Sequence, residues 1–156
     1  MIYDRFSQEL SEISKNLEEI QKILLQLLEM KRKDFPRFYF LSNDDLLELL
    51  GNSRDLNVVN KHMKKLFEGI KAPHISPQQQ KGGKLEIIGM TSPEGEKVEF
   101  SKTVIVDNEV DRWLGQVQET MRTSPKVILL NVTEAIKPKE TKWIPAWIHD
   151  FPGQLL

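Results

Sequence analysis

The feature that most constrains the fold is a run of regularly spaced apolar residues near the N-terminus. Seven of them recur at alternating spacings of four and three positions. They are Phe6, Leu10, Ile13, Leu17, Ile20, Leu24 and Leu27. Such a heptad repeat lies along one face of an α-helix and leaves the intervening charged residues on the opposite face. It predicts one helix over residues 2–33, about 48 Å long at a rise of 1.5 Å per residue.

The next segment combines a helix stop with an aromatic run. Phe35-Pro36 ends the helix, because the residue before a proline is pushed out of the α region. The following run is rich in aromatic residues, which favour extended backbone. Side chains of an extended segment alternate between two faces, so Phe38 and Phe40 share one face and Arg37 and Tyr39 the other. We expect one pair to point inward and the run to belong to the core.

Two short helices are predicted between residues 42 and 70. Ser42 suits the N-cap of the first, with Asp45 three residues later as a variant of the capping box. Asp55 can cap the second helix, whose apolar residues repeat at helical spacing. Gly51 and Gly69 mark the two helix ends.

A change in the spacing of the apolar residues predicts a small β-structure after these helices. Residues 71–83 are rich in proline, glutamine and glycine, which predicts an exposed loop. Residues 85–91 and 96–101 are predicted to form a β-hairpin around a turn that ends at Gly95. Residues 104–106 are expected to add a short third strand.

Helical spacing returns in residues 108–156. Asp107 or Asn108 is expected to cap a helix that contains Trp113, and Ser124-Pro125 is expected to break that helix. Further short helices are predicted beyond the break, the last around Trp147. The fold class is therefore mainly α: an elongated helical bundle with one long N-terminal helix and a small β-hairpin insertion. A long helix packed in such a bundle is favoured because three heptads are few for an independent coiled coil.

Composition argues against several classes of function. The formal net charge is −1, with 22 basic and 23 acidic residues, so nothing steers the chain toward nucleic acid or anionic lipid. There is no cysteine for a disulfide framework or a thiolate metal site. No apolar run approaches the roughly 18 residues that a membrane span needs.

The residues that could carry chemistry do not form a convincing motif. Gly82-Gly83-Lys84 lacks the glycine and the hydroxyl residue that a phosphate-binding loop needs at positions 78 and 85. Asp44-Asp45 opens a helix, where carboxylates complement free N–H groups. None of the histidines has a convincing metal-ligand spacing, and His62 is expected on an ordinary helix surface. The histidines are His62, His74 and His149. We predict no catalytic, cofactor-binding or metal-binding residue in this chain.

The segment from Glu29 to Gly51 has a Lys-Arg pair, then Phe-Pro-Arg-Phe-Tyr-Phe, then a capped Leu-Leu-Glu helix. This series resembles the linker of dynein heavy chains. Similar elements follow in order along the whole chain. The residues of this segment and of the hairpin resemble those of the axonemal type. The signature residues are Phe35, Pro36, Arg37, Phe38, Tyr39, Phe40, Ser42, Asp45, Gly95, Trp113 and Trp147.

The resemblance implies a mechanical part in a microtubule motor. In such motors an AAA+ ring, absent from this chain, binds ATP and Mg²⁺, and the linker bends and straightens across the ring. Residues 1–156 would be part of that linker, in the cytoskeleton and by preference in a ciliary axoneme. The expected partners are the ring of the same heavy chain and other dynein subunits, with microtubules reached only through the parent motor. The heptad face would lie against helices around residues 56–70 and 110–121.

Two other functions are weighed against this one. The chain could be a free-standing helical adaptor that binds a partner through the heptad face of residues 6–27. The end at Leu155-Leu156 has no cap or polar tail, which favours a piece of a longer protein over an adaptor. An enzyme is disfavoured because no convergent set of polar residues is found.

Overall fold

The computed structural model describes residues 2–77 and 85–136, without the side chains of residues 2–5, 135 and 136. The helices are α1 (Ile2–Asp34), a 3-10 helix (Pro36–Phe40), α2 (Asn43–Gly51), α3 (Leu56–Leu66) and α4 (Val110–Ile136). The strands are β1 (Ala72–Ile75), β2 (Glu86–Thr91) and β3 (Lys97–Ile105). A mainly helical chain with a small antiparallel sheet was predicted, and that is confirmed. The predicted helix around Trp147 lies outside the described residues.

The first helix joins the rest of the protein through its C-terminal end. The last turn of α1 carries Lys31, Arg32 and Lys33, which complement the negative end of the helix dipole. Leu28 is fully buried, whereas the described part of α1 before residue 24 is exposed. The helix stops at Asp34, directly before Phe35-Pro36, as the proline rule predicts.

The aromatic run forms a 3-10 helix, so the prediction of extended backbone was wrong. Residues three apart share a face of a 3-10 helix, instead of residues two apart. Phe35, Phe38 and Leu41 follow this spacing, and all three are buried. Phe40 is 66% exposed, so the expectation that Phe38 and Phe40 lie on the same face was also wrong. Only one face of the run belongs to the core.

Both short helices begin at side-chain caps. Ser42 Oγ accepts a hydrogen bond from the Asp45 backbone N–H at 3.1 Å, as predicted for an N-cap. Asp55 Oδ1 accepts from the Asn57 N–H at 2.9 Å. Both helices turn apolar residues toward the core, including Leu46, Leu49 and Val59.

The sheet is antiparallel, with strand order β1-β2-β3. The strand β1 lies in the segment predicted as a loop, so that prediction was wrong for Ala72–Ile75. Residues 104 and 105 continue β3 and do not form a separate strand. The predicted hairpin of β2 and β3 is confirmed, and its turn contains Gly95 at φ 95°, a backbone angle that favours glycine. Gly89 is also required, because an added Cβ would lie 2.7 Å from the Val98 carbonyl oxygen.

The last described helix runs through Pro125, so the predicted break there was wrong. A proline has no N–H and leaves the carbonyl four residues earlier without its helical donor. Hydroxyl groups satisfy other carbonyls next to this site. Ser124 Oγ donates to the Thr120 carbonyl at 2.7 Å and accepts the Ser101 N–H of β3 at 2.9 Å. Ser124 thus bonds the helix to strand β3 directly before the proline.

The core lies where the 3-10 helix, α2, α3, the sheet and the first half of α4 meet. Trp113 and Leu114 of α4 are buried there together with Phe67 and Ile70. Ile87 and Val104 contribute from the sheet. No helix among the described residues has the length and apolar character to cross a membrane.

Candidate interaction surface

The seven heptad residues of α1, called here the α1 stripe, form an exposed apolar surface. Six of them are 42–61% exposed, and Leu24 is half-buried. The expectation that this face packs against the α3 and α4 regions was wrong, because α1 contacts mainly the 3-10 helix and α2. A continuous exposed apolar surface marks a site of interaction with another structural element.

The residue types of the α1 stripe indicate what kind of partner fits it. In heptad notation Leu10, Leu17 and Leu24 take position a, while Ile13 and Ile20 take position d. Leucine at a with isoleucine at d favours assemblies of more than two helices. Ile23, 59% exposed, widens the apolar face beyond the a and d positions. The surface therefore suits several packed helices better than a single one.

Polar contacts hold the C-terminal end of α1 to the rest of the protein. Lys31 Nζ lies 2.9 Å from Asp111 Oδ1 in the first turn of α4. Arg32 Nη2 donates to Oδ1 of Asn43, the first residue of α2, at 2.8 Å. Tyr39 donates its hydroxyl to Glu29 Oε1 at 2.6 Å. This hydrogen bond to the Glu29 carboxylate raises the pKa of the Tyr39 phenol.

Arg37 connects three elements behind this junction. Its Nη1 donates to the Leu66 carbonyl at 2.6 Å, at the C-terminal end of α3 where a cation is favoured. Its Nε donates to Gln118 Oε1 of α4 at 2.8 Å. The guanidinium also stacks 4.7 Å from the centre of the Phe67 ring. The sequence marks Arg37 as a signature residue, but only the fold reveals that it joins the 3-10 helix to α3 and α4.

The structure brings most of the signature residues into one region. Phe35 and Phe38 lie in the core where α1 joins it, and Ser42 and Asp45 are at the start of α2 next to them. Trp113 is 1% exposed in the same core, whereas Gly95 lies apart, in the hairpin turn. Trp147 lies outside the described residues.

His62 is not on an ordinary helix surface, and the sequence-based expectation was wrong. Its side chain is 1% exposed and faces two carboxylates of α2. His62 Nε2 is 3.0 Å from Glu48 Oε2, and Nδ1 is 3.7 Å from Asp45 Oδ1. The helical spacing of α3 is the one sequence signal for burial, since His62 lies next to Met63 and three positions after Val59 on its apolar side.

Two lysines flank this cluster and keep its carboxylates ionised. Lys65 Nζ lies 2.6 Å from Asp45 Oδ2, and Lys61 Nζ lies 2.9 Å from Glu48 Oε1. The hydrogen bonds from Lys65 and Ser42 lower the pKa of Asp45 to about 2. The hydrogen bonds to Lys61 and then to His62 lower the pKa of Glu48. The cluster thus presents two carboxylates and one imidazole between α2 and α3.

Comparison with known proteins identifies the family. A family model described as Dynein heavy chain, N-terminal region 2 matches residues 2–131, which include α1, the signature segment and the sheet. The chain belongs to this dynein heavy chain family. The match covers both the α1 stripe and the elements that anchor it.

Axonemal and cytoplasmic dynein heavy chains are both among its relatives. Human dynein axonemal heavy chain 2 is 44% identical over 88% of this chain. The 1-beta heavy chain of the flagellar inner arm I1 complex of Chlamydomonas reinhardtii is 40% identical over 93%. Cytoplasmic dynein 2 heavy chain 1 of Caenorhabditis elegans is 40% identical over 86%. The chain spans 3% of the length of each of these relatives.

Proposed function

We propose that this dynein segment is a non-catalytic mechanical element of the heavy-chain linker. The observation that carries the proposal is the arrangement of α1. Its C-terminal end is fixed to a packed core, while the α1 stripe is left exposed for other helices. A segment that transmits movement needs a stiff element, a firm junction and a surface that contacts the neighbouring part of the motor.

The junction has the contacts that stiffness requires. The Phe35 and Phe38 rings pack edge to face, with centroids 4.9 Å apart, inside the core. Around them, Arg37 and Lys31 each bond to α4, 81 and 80 residues away in sequence. A rotation of α1 against the core would have to break the Lys31 contact with α4, while Arg37 keeps the 3-10 helix that follows α1 bonded to α3 and α4. This supports the transfer of movement across the junction.

The proposed partner of the α1 stripe is a set of helices from the same heavy chain. The matched relatives are far longer than this chain, and the leucine and isoleucine pattern favours several neighbouring helices. In this proposal ATP and Mg²⁺ bind in the AAA+ ring of the parent motor, and microtubules are reached only through that motor. A free-standing adaptor is not favoured, because the family match extends through the core as well as α1.

An axonemal motor is the proposed setting, in a cilium or flagellum. The support is the 44% identity to human dynein axonemal heavy chain 2 and the 40% identity to the inner-arm chain. Cytoplasmic dynein 2 heavy chain 1 is as similar as the inner-arm chain, at 40% identity, so the axonemal preference rests on the 44% identity.

The test separates ATP hydrolysis from movement in the intact motor. Leu17→Glu with Leu24→Glu would be introduced into the full-length heavy chain. Ser11→Glu with Gln26→Glu, on the polar face of α1, is the matched control. We expect the stripe variant to retain ATP turnover but to lose most of its microtubule-gliding velocity, and the control to keep both. Unchanged gliding by the stripe variant would contradict a mechanical role for the α1 stripe.

A further inference from the structure

The cluster of Asp45, Glu48 and His62 is outside the proposed mechanical surface and has an unusual feature. His62 Nδ1 is buried and has no hydrogen-bond partner within the described part of the chain. An unsatisfied buried polar atom is costly, so it calls for an explanation in terms of function or of a bound species. Three side chains each offer a ligand atom here, and these atoms lie within 4.8 Å of one another.

We propose that Asp45, Glu48 and His62 form a binding site for a divalent transition metal, with Zn²⁺ as the best-fitting ion. One imidazole nitrogen and two carboxylate oxygens are ligands that Zn²⁺ accepts in proteins. An imidazole ligand argues against Mg²⁺ and Ca²⁺, which prefer oxygen throughout. The carboxylates are 24% and 37% exposed, so water can reach the site and complete the coordination.

The metal is placed on Nε2 of His62, beside Glu48. The Nε2–Glu48 Oε2 distance of 3.0 Å is close to the roughly 3.3 Å between two ligands in a tetrahedral site with bonds of about 2.0–2.1 Å. Binding there leaves the ring proton on Nδ1, which faces Asp45 Oδ1 at 3.7 Å. The Nδ1 proton then points toward the Asp45 carboxylate, as is typical of metal-bound histidines. In this arrangement Asp45 Oδ2, which Lys65 holds in the structure, would turn to the ion as the third protein ligand.

The two flanking lysines are the competitors of the metal. Lys61 Nζ lies 2.9 Å from both oxygens of Glu48, including the proposed ligand Oε2, and Lys65 Nζ lies 2.6 Å from Asp45 Oδ2. The lysine side chains are 62% and 51% exposed. Exposed ion pairs are weak and long lysine side chains can swing into water, so a dication can displace them. Removing the lysines should therefore raise the metal affinity.

Binding of Co²⁺ and Zn²⁺ to the purified 156-residue chain tests the site directly. Co²⁺ should give visible absorption bands typical of nitrogen and oxygen ligation, and Zn²⁺ should abolish them by competition. Zn²⁺ should also raise the thermal midpoint, since a ligand that binds only the folded state stabilises it. We expect no comparable effect of Mg²⁺.

Variants show whether the binding belongs to this cluster. His62→Gln and Glu48→Gln should each weaken Zn²⁺ binding by at least about tenfold. Lys61→Met with Lys65→Met should strengthen it several-fold, and His74→Gln is the control that should leave it unchanged. Because Glu48 is part-exposed, its variant keeps the test valid if His62→Gln fails to fold. Absence of Co²⁺ bands, or Zn²⁺ binding that survives both substitutions, would overturn the proposal.

Discussion

Lys31 and Asp111 are 80 residues apart in sequence, and their side chains meet at 2.9 Å between the last turn of α1 and the first turn of α4. Both side chains are partly shielded, at 29% and 16% exposure. The pair joins α1 to the core through a contact outside the 3-10 helix.

Replacing Lys31 by Met and Asp111 by Asn, singly and together, measures this junction. We expect the pair to contribute about 1 kcal/mol to the free energy of unfolding, because partly exposed ion pairs are weak. A double-mutant cycle from urea unfolding gives the coupling energy. The exposed pair of Arg112 and Glu109 serves as the comparison and should couple less strongly. Equal coupling in the two pairs would contradict a special part for Lys31 and Asp111.

The aromatic run allows a matched comparison between neighbouring residues. Phe38 is fully buried and Phe40 is 66% exposed. Truncation of a buried phenylalanine leaves a cavity, so Phe38→Ala should lower the free energy of unfolding by about 3–5 kcal/mol. Phe40→Ala should change it by less than about 1 kcal/mol. Similar losses for the two variants, measured by urea unfolding, would contradict the burial of Phe38 and the exposure of Phe40.

The lowered pKa of Asp45 predicts a dependence of stability on acid pH. The ordinary value is 3.8 and the value in the fold is about 2, because Lys65 and Ser42 hydrogen-bond the ionised carboxylate. A depressed pKa stabilises the fold above the unfolded value, and this contribution is lost as the pH falls toward 2. Asp45→Asn should therefore flatten the decline of the thermal midpoint between pH 4 and pH 2, relative to Asp44→Asn. Parallel declines for the two variants would contradict the assigned contacts.

Pro125 predicts a stabilising substitution. Alanine restores the helical N–H that proline lacks and is the better helix former by about 3 kcal/mol in an unadapted helix. Because the helix already accommodates a proline at this position, we expect Pro125→Ala to gain only about 1–2 kcal/mol. Ser124→Ala should act in the opposite direction, since it removes the acceptor of the Ser101 N–H. A fall in the thermal midpoint of Pro125→Ala would show that the proline is needed for the helix path.

The exposed α1 stripe predicts self-association of the isolated chain. Because the α1 stripe is exposed, it should pair with other copies at high concentration. Sedimentation equilibrium should detect oligomers that Leu17→Glu with Leu24→Glu reduces to monomers. Ser11→Glu with Gln26→Glu should leave the oligomers intact. A wild-type chain that stays monomeric at high concentration would contradict this prediction.

Patterns with a local cause were predictable from the sequence, and features that depend on distant partners were not. The Ser42 cap and the hairpin require only neighbouring residues. The strand Ala72–Ile75 contains a proline and forms because it pairs with β2. Its own residues do not predict a strand. The 3-10 helix escaped prediction because every residue of the run is bulky, so a spacing of three is hidden among aromatic neighbours.

The candidate sites divide in the same way. The heptad spacing identified the α1 stripe from residue types alone, but its exposure depends on where the core ends. His62 became notable only when packing placed α3 against Asp45 and Glu48 of α2. A histidine 14 and 17 positions from two acidic residues has no recognised sequence spacing for a metal site.

Attachment of α1 at one end makes it a cantilever. Phe6 lies 22 residues before the buried Leu28, which gives a lever arm of about 33 Å. A sideways force near Phe6 therefore produces its largest bending moment at the junction, where Lys31, Arg32 and Tyr39 make their contacts. Bending toward the core compresses packed side chains, whereas bending away from it pulls on these polar contacts. The resistance of α1 to bending consequently depends on the direction of the load.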